Sequence, residues 1–396
     1  MRSIAVIGKN YGDEGKGLVT ASLSLSCPKA LIIKHNGGAQ AGHTVESRKT
    51  GNRFVHHQTG SGAEYGTPTL FSEKFHPDLY SLGKEITDFK KMFGFTPQIY
   101  SEPNAAITTA DDVLLNMAAE SQRGLNRHGS CGMGIWECCV RSGKGPGFSL
   151  SAKDVSDNSE DDIADRLFYL RREHTYKRMA ELQISEACHY LPLLTDENVI
   201  LNFAHEIKNN VGYIEISAAG TEFLSDYDTV IFESGQGLLL SEDNLELIPH
   251  VSASMTGIKN PVDFLNKRKL TLDEAIYVSR PYITKHGAGP LPFECQRNEL
   301  TGVVCDITNR PNEWQGSIRY AKHENTELFL KAVRRDAGFC ENPGFCRSLA
   351  ITHLDETGDR IYFSDKTLTV TELSSVYSGF FDRIYVSRDH ESIQLL

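Results

Sequence analysis

Apolar and polar residues fall into distinct blocks along this chain. Residues 3–7, Ser-Ile-Ala-Val-Ile, form a short β-rich apolar run closed by Gly8, the pattern of a buried strand that feeds a loop. The run Leu18-Val-Thr-Ala-Ser-Leu23 can start a helix, residues 30–34 predict a second buried strand, and glycines return over 37–42. Strand, loop, helix, strand predicts an α/β fold with a mainly parallel sheet. Further strands are predicted at 198–204, 229–233, 348–352 and 383–386. Helices are predicted at 110–122, 159–185 and 324–336, and the Gly-, Ser- and Asp-rich stretch 141–158 reads as a mobile loop. No internal repeat or low-complexity tract interrupts the pattern. Residues 1–396 are therefore taken as a single elaborated domain with insertions.

Composition narrows the function classes. The formal charge of -11 argues against a non-specific nucleic-acid or anionic-membrane surface, so neither is expected as a partner. No apolar run approaches the roughly 18 residues of a membrane span. Gly8 and Lys9 cut the opening apolar run short, so no signal peptide is expected. The nine cysteines are scattered without a CxxC pair, which favours reduced thiols over a disulfide scaffold or zinc site. A cytoplasmic location follows as the expectation.

The chemistry concentrates in glycine-rich loops. Gly8-Lys-Asn-Tyr-Gly12-Asp13-Glu14-Gly15-Lys16-Gly17 places four glycines after a buried strand, where backbone N–H groups can curl around an anion. Lys16 supplies a cation for a polyphosphate, and Asp13 or Glu14 can hold Mg²⁺ or take a proton. Gly17 stands where a strict P-loop has Ser or Thr. The second loop, Asn36-Gly-Gly-Ala-Gln40-Ala-Gly42-His43-Thr44, also follows a buried strand. In a parallel sheet both loops emerge at one carboxyl edge, where ligands bind, and His43 is free to point into that crevice. Three further glycine turns, 129–134, 232–237 and 285–290, extend the crevice.

Taken in order, Gly12-Asp-Glu-Gly-Lys-Gly17, Ala41-Gly-His-Thr44, residues 129–134, residues 232–237 and Gly287-Ala-Gly-Pro290 resemble adenylosuccinate synthetase nearly end to end. The resemblance implies a P-loop-like nucleotide-binding fold, with helices on both faces of the sheet and long loop insertions. It implies a ligase of AMP synthesis that joins L-aspartate to IMP using GTP and Mg²⁺. Asp13 would take the N1 proton and ligate the metal, the Gly42 carbonyl would be a second ligand, and His43 would stabilise charge as the γ-phosphoryl moves to the purine 6-oxygen. Gly12, Glu14, Gly15, Lys16, Gly17 and Thr44 would surround the phosphates. Gln40, Cys131, Gln236 and Ser252 would meet the nucleotide substrate. Arg141 would reach the nucleotide site of a neighbouring subunit, implying a homodimer.

Two regions depart from the family pattern. The aspartate loop appears as Ile307-Thr308-Asn309-Arg310, with Arg319 downstream; Thr308, Asn309, Arg310 and Arg319 are the candidates for aspartate, and Arg310 also for the nucleotide. At the triphosphate end the family's Thr-Lys-Leu-Asp becomes Thr352-His353-Leu354-Asp355, so His353 and Asp355 would meet the base. This change keeps open a relative that uses dGMP and ATP to make the 2-amino analogue. Asp13 counts against it, because the viral form associated with that activity carries Ser there, and a 2-amino group would crowd the carboxylate. A non-catalytic purine-nucleotide sensor would be expected to lose Asp13, Lys16 or His43, and all three are present.

Overall fold

The computed structural model describes residues 1–47, 50–300 and 314–396. Among the described residues, ten strands build one sheet. They are β1 (Arg2–Gly8), β2 (Ala30–Lys34), β3 (Thr69–Phe71), β4 (Ile99–Ser101), β5 (Ile214–Ile216), β6 (Thr229–Gly237), β7 (Glu274–Ser279), β8 (Cys346–Ile351), β9 (Arg383–Val386) and β10 (Gln394–Leu395). Their spatial order is β10-β9-β8-β7-β1-β6-β2-β3-β4-β5. All neighbours are parallel except β9 and β10.

Helices that matter below are α1 (Lys16–Ser26), α2 (Leu79–Phe93), α3 (Ala110–Arg123), α4 (Ile135–Ser142), α5 (Glu160–Leu170), α6 (Glu197–Asn210), α7 (Lys259–Asn266) and α8 (Lys331–Ala337). Side chains alternate across a strand, so β1 feeds two cores. Ile4 and Val6 pack with Val19 of α1 on one face. Ala5 and Ile7 join Phe232, Phe264 of α7 and Val333 of α8 on the other. Helices thus cover both faces, which is why the central strands read as continuous apolar runs. A separate core, with Leu82, Ile163 and Phe203 among its members, ties α2, α5 and α6 over the β3–β5 end.

Four sequence expectations are corrected here. Residues 198–204 are not a strand; they lie inside α6, whose cap Asp196 accepts from the Asn198 N–H. Its buried residues Ile200, Phe203, Ala204 and Ile207 repeat at helical spacing, and the apolar run hid that period. The helix predicted over 159–185 is broken: α5 passes through a π-turn at Arg171–Thr175 into a short helix at Tyr176–Glu181. The helix predicted over 324–336 begins late, a 3₁₀ turn at Leu328–Leu330 preceding α8. The stretch 141–158 is largely structured, with a helix at Ala152–Asp157 closed by a Ser151–Asp154 capping box.

Asp336 of α8 shows how the sheet and its cover lock together. Its carboxyl accepts from the Ile258 N–H at 3.0 Å and the Tyr277 hydroxyl at 3.1 Å, and it fills the space a side chain at Gly257 would need. Burial pushes its pKa up to about 7. Between pH about 4 and about 7 the unfolded chain ionises this group while the folded chain does not, so it lowers stability as pH rises through that window. We expect the stability difference between wild type and Asp336→Asn in urea titrations to move against wild type from pH 4 to pH 7. A difference constant with pH would show that Asp336 is not a buried acid.

Candidate active site

Parallel pairing brings the ends of β1, β2, β6, β7 and β8 to one edge of the sheet, and a cleft of about 540 Å³ opens there. Its floor is the loop after β1. Glu14, 1% exposed, turns back into this loop: Oε1 accepts from the N–H groups of Asn10 and Gly12, and Oε2 accepts from Lys16 Nζ at 2.9 Å. A Cβ at Gly8 would strike that carboxylate at 2.5 Å, so the strand must end in glycine. The carbonyls of Gly12, Asp13 and Glu14 are held in turn by Thr284, Arg280 and Thr352. Gly15, at φ 83, then starts α1, and Gly15, Lys16 and Gly17 line the cleft with the unsatisfied N–H end of that helix.

Asp13 adopts φ 61, in the left-handed region, and lines the cleft with its carboxylate beside His286. Nε2 of His286 is 2.8 Å from Oδ2 of Asp13. Burial would raise the Asp13 pKa, but the His286 contact, then the charges of Arg280 and Lys16, outweigh it and pull the pKa down to about 2. Asp13 is therefore an anion at neutral pH.

The wall beyond is set by charges on two adjacent strands. Lys34, the last residue of β2, is paired in register with Glu233 inside β6, and Nζ meets Oε2 at 2.8 Å with both side chains buried. The other oxygen, Oε1, lies 3.0 Å from Nδ1 of His43, a close contact without the alignment of a hydrogen bond. Burial lowers the His43 pKa to about 4, against the upward pull of Glu233, so the ring is neutral at pH 7 before substrates arrive. Gly42, His43 and Thr44 line the cleft, and the Asn36 side chain accepts from the Gly235 N–H to join this wall to β6.

Most predicted residues meet here. Gly12, Asp13, Gly15, Lys16, Gly17, Gln40, Gly42, His43, Thr44, Cys131, Gln236, Ser252, His353 and Asp355 all line the one cleft. Among the described residues, the side-chain carbonyls of Gln40 and Gln236 are buried with no hydrogen-bond partner, the condition of groups set to meet a ligand. His353 sits at φ 57 with Nδ1 2.8 Å from Thr352 Oγ1.

Three expectations change. Glu14 is consumed in shaping the loop and does not face the cleft, so it is not placed to touch phosphate or metal. Arg141 is 1% exposed and absent from the cleft wall; its guanidinium spans both oxygens of Asp112 and the carbonyls of Ile107 and Phe148. The buried Asp112 of the α3 capping box requires that cation, so Arg141 does not project toward a neighbouring subunit. Arg319 pairs with Glu294 and donates to the carbonyls of Gly287 and Gly289, so its fork is engaged away from the cleft. Thr308, Asn309 and Arg310 lie outside the described residues. Sequence reasoning missed Lys34, Glu233, Arg280 and His286. The first two had a signal, since opposite charges close two apolar strand runs, 30–34 and 229–233.

The sequence profile of adenylosuccinate synthetase matches residues 5–324. The chain belongs to the adenylosuccinate synthetase family. It is 28% identical to adenylosuccinate synthetase of Microcystis aeruginosa over 361 residues, 90% of this chain and 74% of that one. It is also 28% identical to that of Thermosipho africanus over 301 residues, 74% of this chain and 67% of the other. Its fold matches fully ligated adenylosuccinate synthetase from Plasmodium falciparum with a TM-score of 0.71, at 15% identity, over 99% of each chain. It matches cyanophage S-2L succinoaminodeoxyadenylate synthetase, bound to dGMP and dATP, with a TM-score of 0.61 at 13% identity, over 100% of this chain and 95% of that one. As a member of the adenylosuccinate synthetase family the chain is of a ligase type, built on the mixed α/β sheet predicted from its sequence. No described helix is long and apolar enough to cross a membrane.

The inward placement of Arg141 in this family member can be tested directly. Removing one partner of a buried ion pair leaves an uncompensated charge and typically costs about 3–5 kcal/mol. Arg141→Ala is expected to lower the unfolding free energy by that order in urea. A change near zero would mean that the arginine is not buried against Asp112.

Proposed function

We propose that the chain joins L-aspartate to C6 of the 6-oxopurine nucleotide IMP, with hydrolysis of GTP, and yields adenylosuccinate for AMP synthesis. The observation that carries this reading is the meeting of Asp13 and Lys16, from the segment after β1, with His43, from the segment after β2, in one cleft. The 6-oxygen is a poor leaving group until it is phosphorylated. Asp13, an anion beside the substrate, takes the N1 proton, and the electron pair makes O6 the nucleophile toward the γ-phosphorus. As the new O–P bond forms, the bond to the β-phosphate oxygen breaks. The amine of aspartate then attacks C6, phosphate leaves, and the amine gives up its proton.

Positioning and charge stabilisation supply most of such a barrier reduction. Lys16 and the N-terminal end of α1 hold the phosphates. A polyphosphate near His43 adds negative charge that favours the imidazolium, and Glu233 at 3.0 Å stabilises it, so the ring meets the transferring phosphoryl as a cationic donor. Hard oxygen donors suit Mg²⁺, and the ionised Asp13 carboxylate and the Gly42 carbonyl are the residues that would hold it. When bound, the ion would neutralise charge on the phosphate oxygens. Cytoplasmic location and assembly as a homodimer are part of the same proposal and follow the family.

A second reading, succinylation of dGMP with ATP, is favoured by one local feature. His353 and Asp355 line the cleft where the family pattern has a lysine before the aspartate.

Incubation with Mg²⁺, aspartate and each pairing of IMP or dGMP with GTP or ATP decides between these readings, with the succinylated nucleotide as the product assayed. Phosphate release without that product would overturn the ligase reading, and turnover of dGMP but not IMP would promote the second. Asp13→Ala and His43→Ala are each expected to cut turnover about 10²–10⁴-fold while circular dichroism stays unchanged. Rates near wild type in either variant would remove that residue from the mechanism.

A further inference from the structure

In the chemistry above His286 only helps to keep Asp13 ionised. The two side chains are equally half-buried in the cleft wall, each 23% exposed, and their contact joins the loop after β1 to the segment beyond β7. Next to an ionised carboxylate at 2.8 Å, Nε2 must carry its proton and donate. One of the two carboxylate oxygens is thereby engaged before any substrate arrives.

Sheet order fixes the side from which His286 comes. β7 lies on one side of β1, while β6 and then β2 lie on the other. His286 follows the strand Ile283–Lys285, which continues from β7, whereas His43 follows β2. The two imidazoles therefore reach the neighbourhood of Asp13 from opposite flanks. In a 6-oxopurine, N1 lies between C6 and C2. With N1–H on Asp13 and O6 toward His43, C2 falls on the flank of His286.

The purines differ at that position. Guanine presents N1–H and the 2-amino group as adjacent donors, spaced for the two oxygens of one carboxylate. Hypoxanthine presents N1–H alone, with only C–H beside it. We infer that His286 is a specificity-determining residue, which stands at Asp13 Oδ2 in the place of a 2-amino group and so selects hypoxanthine over guanine nucleotides. The inference rests on the ligase reading above, and it assigns the substrate of that site at C2.

The backbone that carries the ring is tightly held. Lys285 Nζ donates to the carbonyls of His286 and Ala288, and Arg319 donates to those of Gly287 and Gly289. Gly287, at φ 71, packs directly on Gly129, where a Cβ would approach to 3.0 Å. Four consecutive carbonyls are thus tied to two cations. A 2-amino purine would have to displace a side chain carried on a clamped backbone and break its contact with Asp13.

The test compares kcat/KM for IMP and for GMP, with aspartate and each triphosphate, in wild type, His286→Ala and His286→Gln. Wild type is expected to prefer IMP. His286→Ala should raise the GMP-to-IMP ratio by about tenfold or more, the scale of losing or gaining one small group in a pocket. His286→Gln keeps an N–H donor of similar reach and should stay within about threefold of the wild-type ratio. If His286→Ala does not fold, His286→Asn, too short to reach Asp13, is compared through dissociation constants for IMP and GMP. An unmoved ratio in the shortened variant, or a wild type that prefers GMP, overturns the inference. Failure of wild type to succinylate either nucleotide would instead overturn the ligase reading itself.

Discussion

Lys34 and Glu233 sit in register on adjacent parallel strands, and their side chains meet at 2.8 Å with almost no exposure to water. Neither charge could stand there alone. A single buried ion costs several kcal/mol, so the pair commits β2 and β6 to one alignment where β2 ends. That alignment fixes the rest of the wall. The remaining oxygen of Glu233 faces His43, and the second loop is tied through Asn36 to Gly235. The state and position of the imidazole therefore depend on a pair two strands deep in the sheet, outside any substrate contact.

The same arrangement recurs across the cleft. Lys16 is paired with Glu14, His286 with Asp13, and Arg178 with Glu137. An acidic chain holding polyphosphate must concentrate cations locally, and here it does so with cations already compensated. These pairs hold the site together, because isolated buried charges are costly. They also mean that a phosphate ligand competes with carboxylates for its donors. The N-terminal end of α1, whose cap Gly15 has no side chain, adds backbone N–H groups to these cations.

How much of this the sequence disclosed follows from what kind of interaction each feature rests on. Glycine-rich turns after apolar strands are local, and the loops at 8–17 and 36–44 were legible with their candidate residues. The central strands were legible because burial on both faces writes a continuous apolar run. That same signal misled at 198–204, where an apolar helix face was taken for a strand. Residues whose role depends on distant partners were read poorly. Arg141 carried a motif match, but its partner Asp112 sits 29 positions away, and burial of that carboxylate decided the direction of the side chain. Glu14 looked like a ligand because it stands among glycines and Asp13 in the same loop; only the curl of the loop reveals that its carboxylate serves the N–H groups of Asn10 and Gly12. His286 and Asp13 are 273 positions apart, and no spacing rule connects them.

A division of labour follows from the sheet. The residues proposed for the phosphoryl-transfer chemistry, Asp13, Lys16 and His43, come from the segments after β1 and β2, held by buried pairs and by the side chains of Thr284, Arg280 and Thr352. The residues that would distinguish one base from another, His286, His353 and Asp355, come from the segments after β7 and β8 on the other side of β1. Changes there need not disturb the ion pairs that fix the first group, because no side chain among them supplies a partner to Glu14 or Glu233. His286 is the exception, since it touches Asp13 itself. At that one contact, choice of substrate and chemistry share a carboxylate, and a substitution on the specificity side is felt by the base.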